Sequence, residues 1–180
     1  MATVSVKVKS PKGELQWLFI SGKGKEKKDN PGKFQYKASV VCDTKEAKPL
    51  IDMIDAFWKD NKPAGAKKPN TCGYRPATVR SDKVDEDGDA IYEEVPGKTE
   101  FFFATGATWP DGKQKVIRVY NAKAREVSLG DKRVGNGSIG YLSGNMAIYN
   151  VAGNQGVNLY LEAVQLTKFI ELSADDGFEA

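Results

Sequence analysis

The chain has 180 residues, about one ordinary domain with a single core, and its 40% apolar and 28% charged residues read as globular. Histidine is absent and only Cys42 and Cys72 could ligate through sulfur, which excludes Ser-His-Asp and Cys-His nucleophile systems, histidine-ligated zinc and four-cysteine zinc. Net charge is only +3, so its distribution must carry whatever the charge has to say.

Val4, Val6 and Val8 alternate with Ser5, Lys7 and Lys9, which predicts a short strand. This N-terminal stretch lacks the apolar core of an export signal, so both cysteines are expected as free thiols in a reducing cytosol. LQWLFI at residues 15–20 is a second apolar run, cut off by Ser21-Gly22. Residues 22–33 are rich in lysine and glycine, carry no apolar side chain and predict a loop. From Lys33 to Cys42 the chain alternates: Phe34, Tyr36, Ala38, Val40 and Cys42 share one face, and Lys33, Gln35, Lys37 and Ser39 the other.

Residues 44–61 carry a helical period through Ala47, Leu50, Ile51, Ile54, Phe57 and Trp58. Pro49 suits a first turn, which places the helix proper at about residues 49–61. Residues 62–98 are proline-rich and acidic with few apolar positions, and predict a long connection. Strand signals return at EFFFAT (100–105), KVIRVYN (115–121), 139–151 and 156–172, with a hairpin turn at Trp109-Pro-Asp-Gly112. Five or more strands and one helix suggest a small, strongly curved sheet or a barrel. No run approaches the apolar length of a membrane-spanning helix.

Two motifs have plainer readings than their patterns suggest. Gly135-Asn-Gly137-Ser-Ile-Gly140 fits G-x-G-x-x-G, but no helix follows to offer its positive end to a phosphate, so a β-turn is expected. Asp85, Asp87, Gly88, Asp89 and Glu94 fall at calcium-loop spacings, but Lys83 holds the first ligand position and flanking helices are missing. No metal site, cofactor or catalytic pair is expected.

Residues 1–80 hold 17 Lys/Arg against 8 Asp/Glu, whereas residues 81–100 hold 2 against 8. The last twelve residues hold four acids and no base. A basic body of this kind favours polyanions, through release of condensed counterions. Basic residues also interleave with aromatics: Lys33, Tyr36 and Lys37 on one strand, Lys115, Arg118 and Tyr120 on another. Tyr74, Arg75 and Arg80 follow the Lys67–Lys68 pair, Trp109 lies beside Lys113, and Lys23 and Lys25 project from the 22–33 loop. Cations that track phosphates beside rings that stack on bases make a sequence-tolerant binder of single strands. Phe101 to Phe103 and Tyr160 read as packing.

The order of NPGKFQYK (30–37), the helix with Pro49 near its start, EFFFAT, the hairpin into KVIRVYNAKAREV, VGNGS and NQGVNLYLEAVQLTKFIEL resembles the single-stranded DNA-binding proteins of tailed phages, over about residues 30–172. The resemblance implies a mainly β chain with an OB-fold barrel of five or more antiparallel strands, an inserted helix, and one DNA-binding domain over residues 1–172. It implies non-enzymatic, sequence-nonspecific binding of single-stranded DNA during phage replication, recombination and repair, in the cytoplasm of an infected bacterial host. Residues 173–180 resemble a short form of the family's acidic tail. Asp175, Asp176, Phe178 and Glu179 would then meet phage replication proteins, although Phe178 is followed by two more residues. A homodimer stays open. The rival readings are a virion or carbohydrate-binding β module and a metal-dependent nuclease that uses the 82–94 acids.

Overall fold

Alternation of apolar and polar residues becomes a sheet whose two faces differ. The computed structural model describes residues 4–21, 24–27, 30–130 and 132–171. Ten strands and one helix follow in order: β1 (Ser5–Lys9), β2 (Gly13–Phe19), β3 (Lys25–Glu26), β4 (Phe34–Asp43), α1 (Thr44–Asn61), β5 (Tyr74–Val84), β6 (Ala90–Gly106), β7 (Arg118–Tyr120), β8 (Glu126–Val127), β9 (Ser138–Val151) and β10 (Asn154–Lys168). Among the described residues the chain is mainly β with one helix, as composition and periodicity indicate.

The pairings run full circle: β9 joins β2, β2 joins β4, β4 joins β6, β6 touches β10, and β10 returns to β9. Leu15, Val40, Phe101, Leu142, Val157 and Val164, drawn from these five strands, are completely buried inside that ring. The expectation of purely antiparallel strands needs correction, because β10 runs parallel to both β6 and β7. A parallel neighbour requires a crossover connection, which short turns read from sequence do not reveal.

Helix α1 begins at Thr44, five residues before the predicted start, and holds Pro49 inside it. The apolar stripe already begins at Ala47, and Ala47, Leu50, Ile54, Phe57 and Trp58 are all buried. Packing of that stripe outweighs the one backbone bond that Pro49 cannot donate toward Lys45.

The expected long connection over 62–98 is also corrected. Its second half forms β5 and the start of β6, a two-stranded ribbon pairing Thr78 with Glu94 and Arg80 with Tyr92. Both of its faces are largely exposed, so no buried face imposes the alternation that betrays a strand. The 22–33 loop likewise contains the two-residue β3, paired with β4. Gly135 to Gly140 forms a turn, as expected: Ser138 N–H donates to the Gly135 carbonyl and Gly137 has φ +96°. Strand β9 follows it, where a nucleotide loop would need a helix.

Candidate nucleic-acid interface

The outer face of the β1–β9–β10–β7 region carries the side chains of interest. On β1 the alternation turns Val8 inward and leaves Lys7 and Lys9 exposed. Pairing of Lys7 with Asn145 and of Lys9 with Ser143 lays both lysines along the outer side of β9. There the Lys9 ammonium lies 4.3 Å from the centre of the Tyr141 ring. Parallel pairing of β7 with β10 brings Arg118 opposite Ala163 and Tyr120 opposite Gln165.

The segment before β7 forms a small hairpin, closed by Trp109 N–H donating to the Lys113 carbonyl and by a bridge from Thr108 to Gln114. Trp109 is 54% exposed at its tip. The Lys115 ammonium lies 4.7 Å from the indole centre and donates to Thr105 Oγ1 at 3.0 Å. One ring face is thus held by a cation, an arrangement worth about 0.5–1 kcal/mol at exposed sites.

Three clefts join along this surface. The largest of the three, about 640 Å³, is lined by Lys7, Lys115, Arg118, Trp109, Tyr120 and Tyr160, with Glu162 as its only acid among the described residues. It shares Tyr120, Ser143 and Ala163 with a cleft of about 270 Å³ that adds Lys9 and Tyr141. At its other end it shares Thr105 and Tyr160 with one of about 200 Å³ that adds Lys27 and Phe102. The result is a continuous groove that, among the described residues, carries five cations, five aromatic rings and one carboxylate.

The predicted residues divide. Lys115, Arg118, Tyr120 and Trp109 come together in the groove, and Lys113 sits on the hairpin that carries Trp109. Tyr36 does not belong with them: it is 1% exposed, and its hydroxyl accepts a hydrogen bond from Gln114 Nε2 at 2.7 Å, so its ring cannot stack on a base. Lys25, Lys33 and Lys37 lie around β3 and β4 and do not line the three clefts, and Lys25 instead covers the Phe19 ring at 5.2 Å.

Tyr74 is turned toward the helix. Its hydroxyl donates to Asp55 Oδ1 at 2.6 Å, and burial first, then this bond, pushes its pKa upward. Arg75 is bound by Glu100 at 2.6 Å and lies over Phe102, so much of its charge is already answered. Arg80 stands on the acidic ribbon opposite Tyr92. Lys23, Asp175, Asp176, Phe178 and Glu179 lie outside the described residues.

Lys7, Lys9, Lys27, Phe102, Tyr141 and Tyr160 escaped the sequence reading. Period two does set Lys7 and Lys9 opposite the valines, but only the β1–β9 pairing shows what they stand beside. Tyr160, read as packing, is 38% exposed, and Phe102 faces away from the buried Phe101 and Phe103.

Asp85, Asp87 and Asp89 do gather at the ribbon tip, with their carboxylates within 4.8 Å of one another. All three are exposed, and strands flank them where a calcium loop needs helices. Cys42 and Cys72 are free thiols, and no helix among the described residues is long and apolar enough to cross a membrane.

No family model and no curated protein matches the chain. Solved structures do. Gp2.5, a single-stranded DNA-binding protein encoded by bacteriophage T7, superposes with a TM-score of 0.66 at 18% identity, covering 97% of this chain and 98% of its own. The single-stranded DNA-binding protein of bacteriophage Enc34 in complex with single-stranded DNA gives 0.58 at 16% identity, over 92% of this chain and 88% of that one. Its C-terminally truncated form gives 0.58 at 12% identity. The chain therefore shares, over nearly all its length, the fold of phage single-stranded DNA-binding proteins.

Proposed function

We propose that the chain is a sequence-nonspecific single-stranded DNA-binding protein of the phage type, built on an OB-fold barrel. The observation that carries this reading is the groove itself, where Lys7, Lys9, Lys27, Lys115 and Arg118 share the lining with Trp109, Tyr120, Tyr141, Tyr160 and Phe102. An unpaired strand offers a phosphate and a flat base at every step, and this spacing of cations and rings answers both. A duplex hides its bases and could use the cations alone. The fold shared with the T7 protein, and with an Enc34 protein solved with single-stranded DNA, supports the same reading.

Under this reading the protein binds and does not cleave, in phage replication, recombination and repair, within the infected host's cytoplasm. Residues 1–172 act as one DNA-binding domain that is able to pair as a homodimer, and the acidic 173–180 segment meets replication proteins. The strongly basic first 80 residues and the acidic end of the sequence support that division. The test is a fluorescence titration with labelled single strands and duplex at two salt concentrations, magnesium present. Retention of intact single strands, with log K falling by about 0.7 per phosphate neutralised for each decade of salt, is expected. Equal affinity for duplex, insensitivity to salt, or cleavage would each reject the proposal.

A further inference from the structure

Glu162 is the one carboxylate lining the groove among the described residues, and it occupies a particular place in the backbone. Pairing of β9 with β10 slips between Leu161 and Ala163, so Glu162 is the extra residue of a β-bulge. Bulges re-aim side chains, and this one directs Glu162 into the cleft lined by Lys7, Lys115 and Arg118. Just before the bulge Leu161 pairs with Gly144, where a side chain would run into the Tyr160 carbonyl.

A carboxylate among those cations would ordinarily pair with one of them. Yet the ion pairs among the described residues are Lys48–Asp52, Arg75–Glu100 and Lys98–Asp43, and none involves Glu162. It is held instead by a neutral group, since Asn145 Nδ2 donates to Glu162 Oε1. That bond fixes the amide so that Asn145 Oδ1 remains an acceptor, and Glu162 Oε2 makes no bond within the described residues. Glu162 thus presents its carboxylate to the cleft as an acceptor, with Oε2 unbonded and a lone pair left on Oε1.

A single DNA strand has few groups that can meet them. Phosphate repels a carboxylate, and the sugar carries no donor along the chain. Only base edges bring N–H groups. Guanine offers N1–H and N2–H side by side, matching two carboxylate oxygens, while adenine and cytosine offer one exocyclic amino group. Thymine offers a single N3–H flanked by two carbonyl oxygens, which the carboxylate repels. We infer that Glu162, positioned by Asn145, reads the edge of an unpaired base and biases the otherwise tolerant groove toward guanine and against thymine. This rests on the groove reading above and gives that site a group that meets bases beside the cations that meet phosphates.

The test compares oligothymidylate with a strand of equal length that has guanine at every third position, a spacing that prevents quadruplexes. Both are titrated by fluorescence anisotropy against the full chain and against the Glu162→Gln and Asn145→Ala variants, with folding checked by circular dichroism. The full chain should bind the guanine strand about tenfold tighter. Glu162→Gln, which presents a donor and an acceptor, should level the two, chiefly by tightening the thymine strand. Asn145→Ala should shrink the difference. A guanine preference that survives Glu162→Gln, or no preference in the full chain, overturns the inference while leaving groove binding intact. Oligouridylate binding tighter than oligothymidylate only while Glu162 is present also overturns it, because the carboxylate would then be meeting a ribose hydroxyl. Failure to bind any single strand at low salt overturns the groove reading, and this inference with it.

Discussion

The Lys115 ammonium and the Trp109 indole lie 4.7 Å apart, centre to charge, so one face of the ring is covered by a cation while the ring as a whole stays 54% exposed and lines the cleft. A ring held this way needs little further ordering before a base stacks on it. Trp109→Ala should weaken single-strand binding by about 1–3 kcal/mol, roughly fivefold to 150-fold, and by a similar factor whatever the sequence of the strand. Fluorescence can report the same contact. Trp58 is only 7% exposed, and Trp17, although 56% exposed, lines none of the three clefts, so a bound strand should quench chiefly Trp109 and a Trp17→Phe variant should retain most of the quenching. Tyr36→Phe should leave affinity unchanged and cost stability by about 0.5–1.5 kcal/mol, through the lost bond from Gln114.

The cations sort by the same geometry. Lys7→Ala, Lys9→Ala and Arg118→Ala each remove a charge that lines the groove, and each should reduce the slope of log K against log salt by about 0.7. Arg75→Ala should change it less, because Glu100 already binds that guanidinium at 2.6 Å. Arg80→Ala, on the acidic ribbon, should leave the slope where it is or steepen it slightly. Titrations at three salt concentrations for the five variants distinguish these outcomes. Equal losses at Arg80 and Arg118 would remove the groove from the explanation.

What the residues alone could say divides along a physical line. Strand β4 was legible because one face is buried and the other is not, and that same alternation places Tyr36 with Ala38 and Val40 in the core. Its proximity to Lys33 and Lys37 in sequence pointed the other way, and burial decides. Trp109, Lys115, Arg118 and Tyr120 were legible because a hairpin turn and a short strand keep them local. Lys9 and Tyr141 were not, since 132 positions separate them and only strand pairing brings them together. The β5–β6 ribbon left no pattern because neither of its faces is buried.

Close approach of β9 to β10 gives a prediction about the groove floor. Gly144 faces Leu161 across the ladder, and a methyl group there would collide with the Tyr160 carbonyl, which is backbone and cannot swing aside. Gly144→Ala should therefore force the two strands apart, with a cost of about 1–3 kcal/mol or more. The bulge that sets Glu162, and the neighbouring Tyr160, should shift with it. The expected result is a lower Tm together with weakened single-strand binding. Gly112→Ala, at a turn where a side chain meets nothing, should pay only for its positive φ and leave the floor intact. Binding lost equally in both would point to general unfolding.

Alkaline pH should destabilise the fold through two groups of known position. Burial pushes the Cys42 thiol from 9.0 up to about 11, with Glu46 and Asp43 adding to the rise. Burial and the bond to Asp55 push Tyr74 above its ordinary 10.0. Both are raised in the folded state, so the unfolded chain loses these protons first as pH climbs. The stabilisation is full below about pH 9 and drains between pH 9 and 11 for Cys42, beginning about one unit later for Tyr74. Each group adds a slope of at most about 1.4 kcal/mol per pH unit while it titrates. Denaturant unfolding at pH 8 and at higher pH should show this decline in the full chain. In a Cys42→Ala, Tyr74→Phe double variant the chain should start less stable, for want of packing and of the Asp55 bond, but lose less with pH. An undiminished decline in the double variant would assign the effect to other groups.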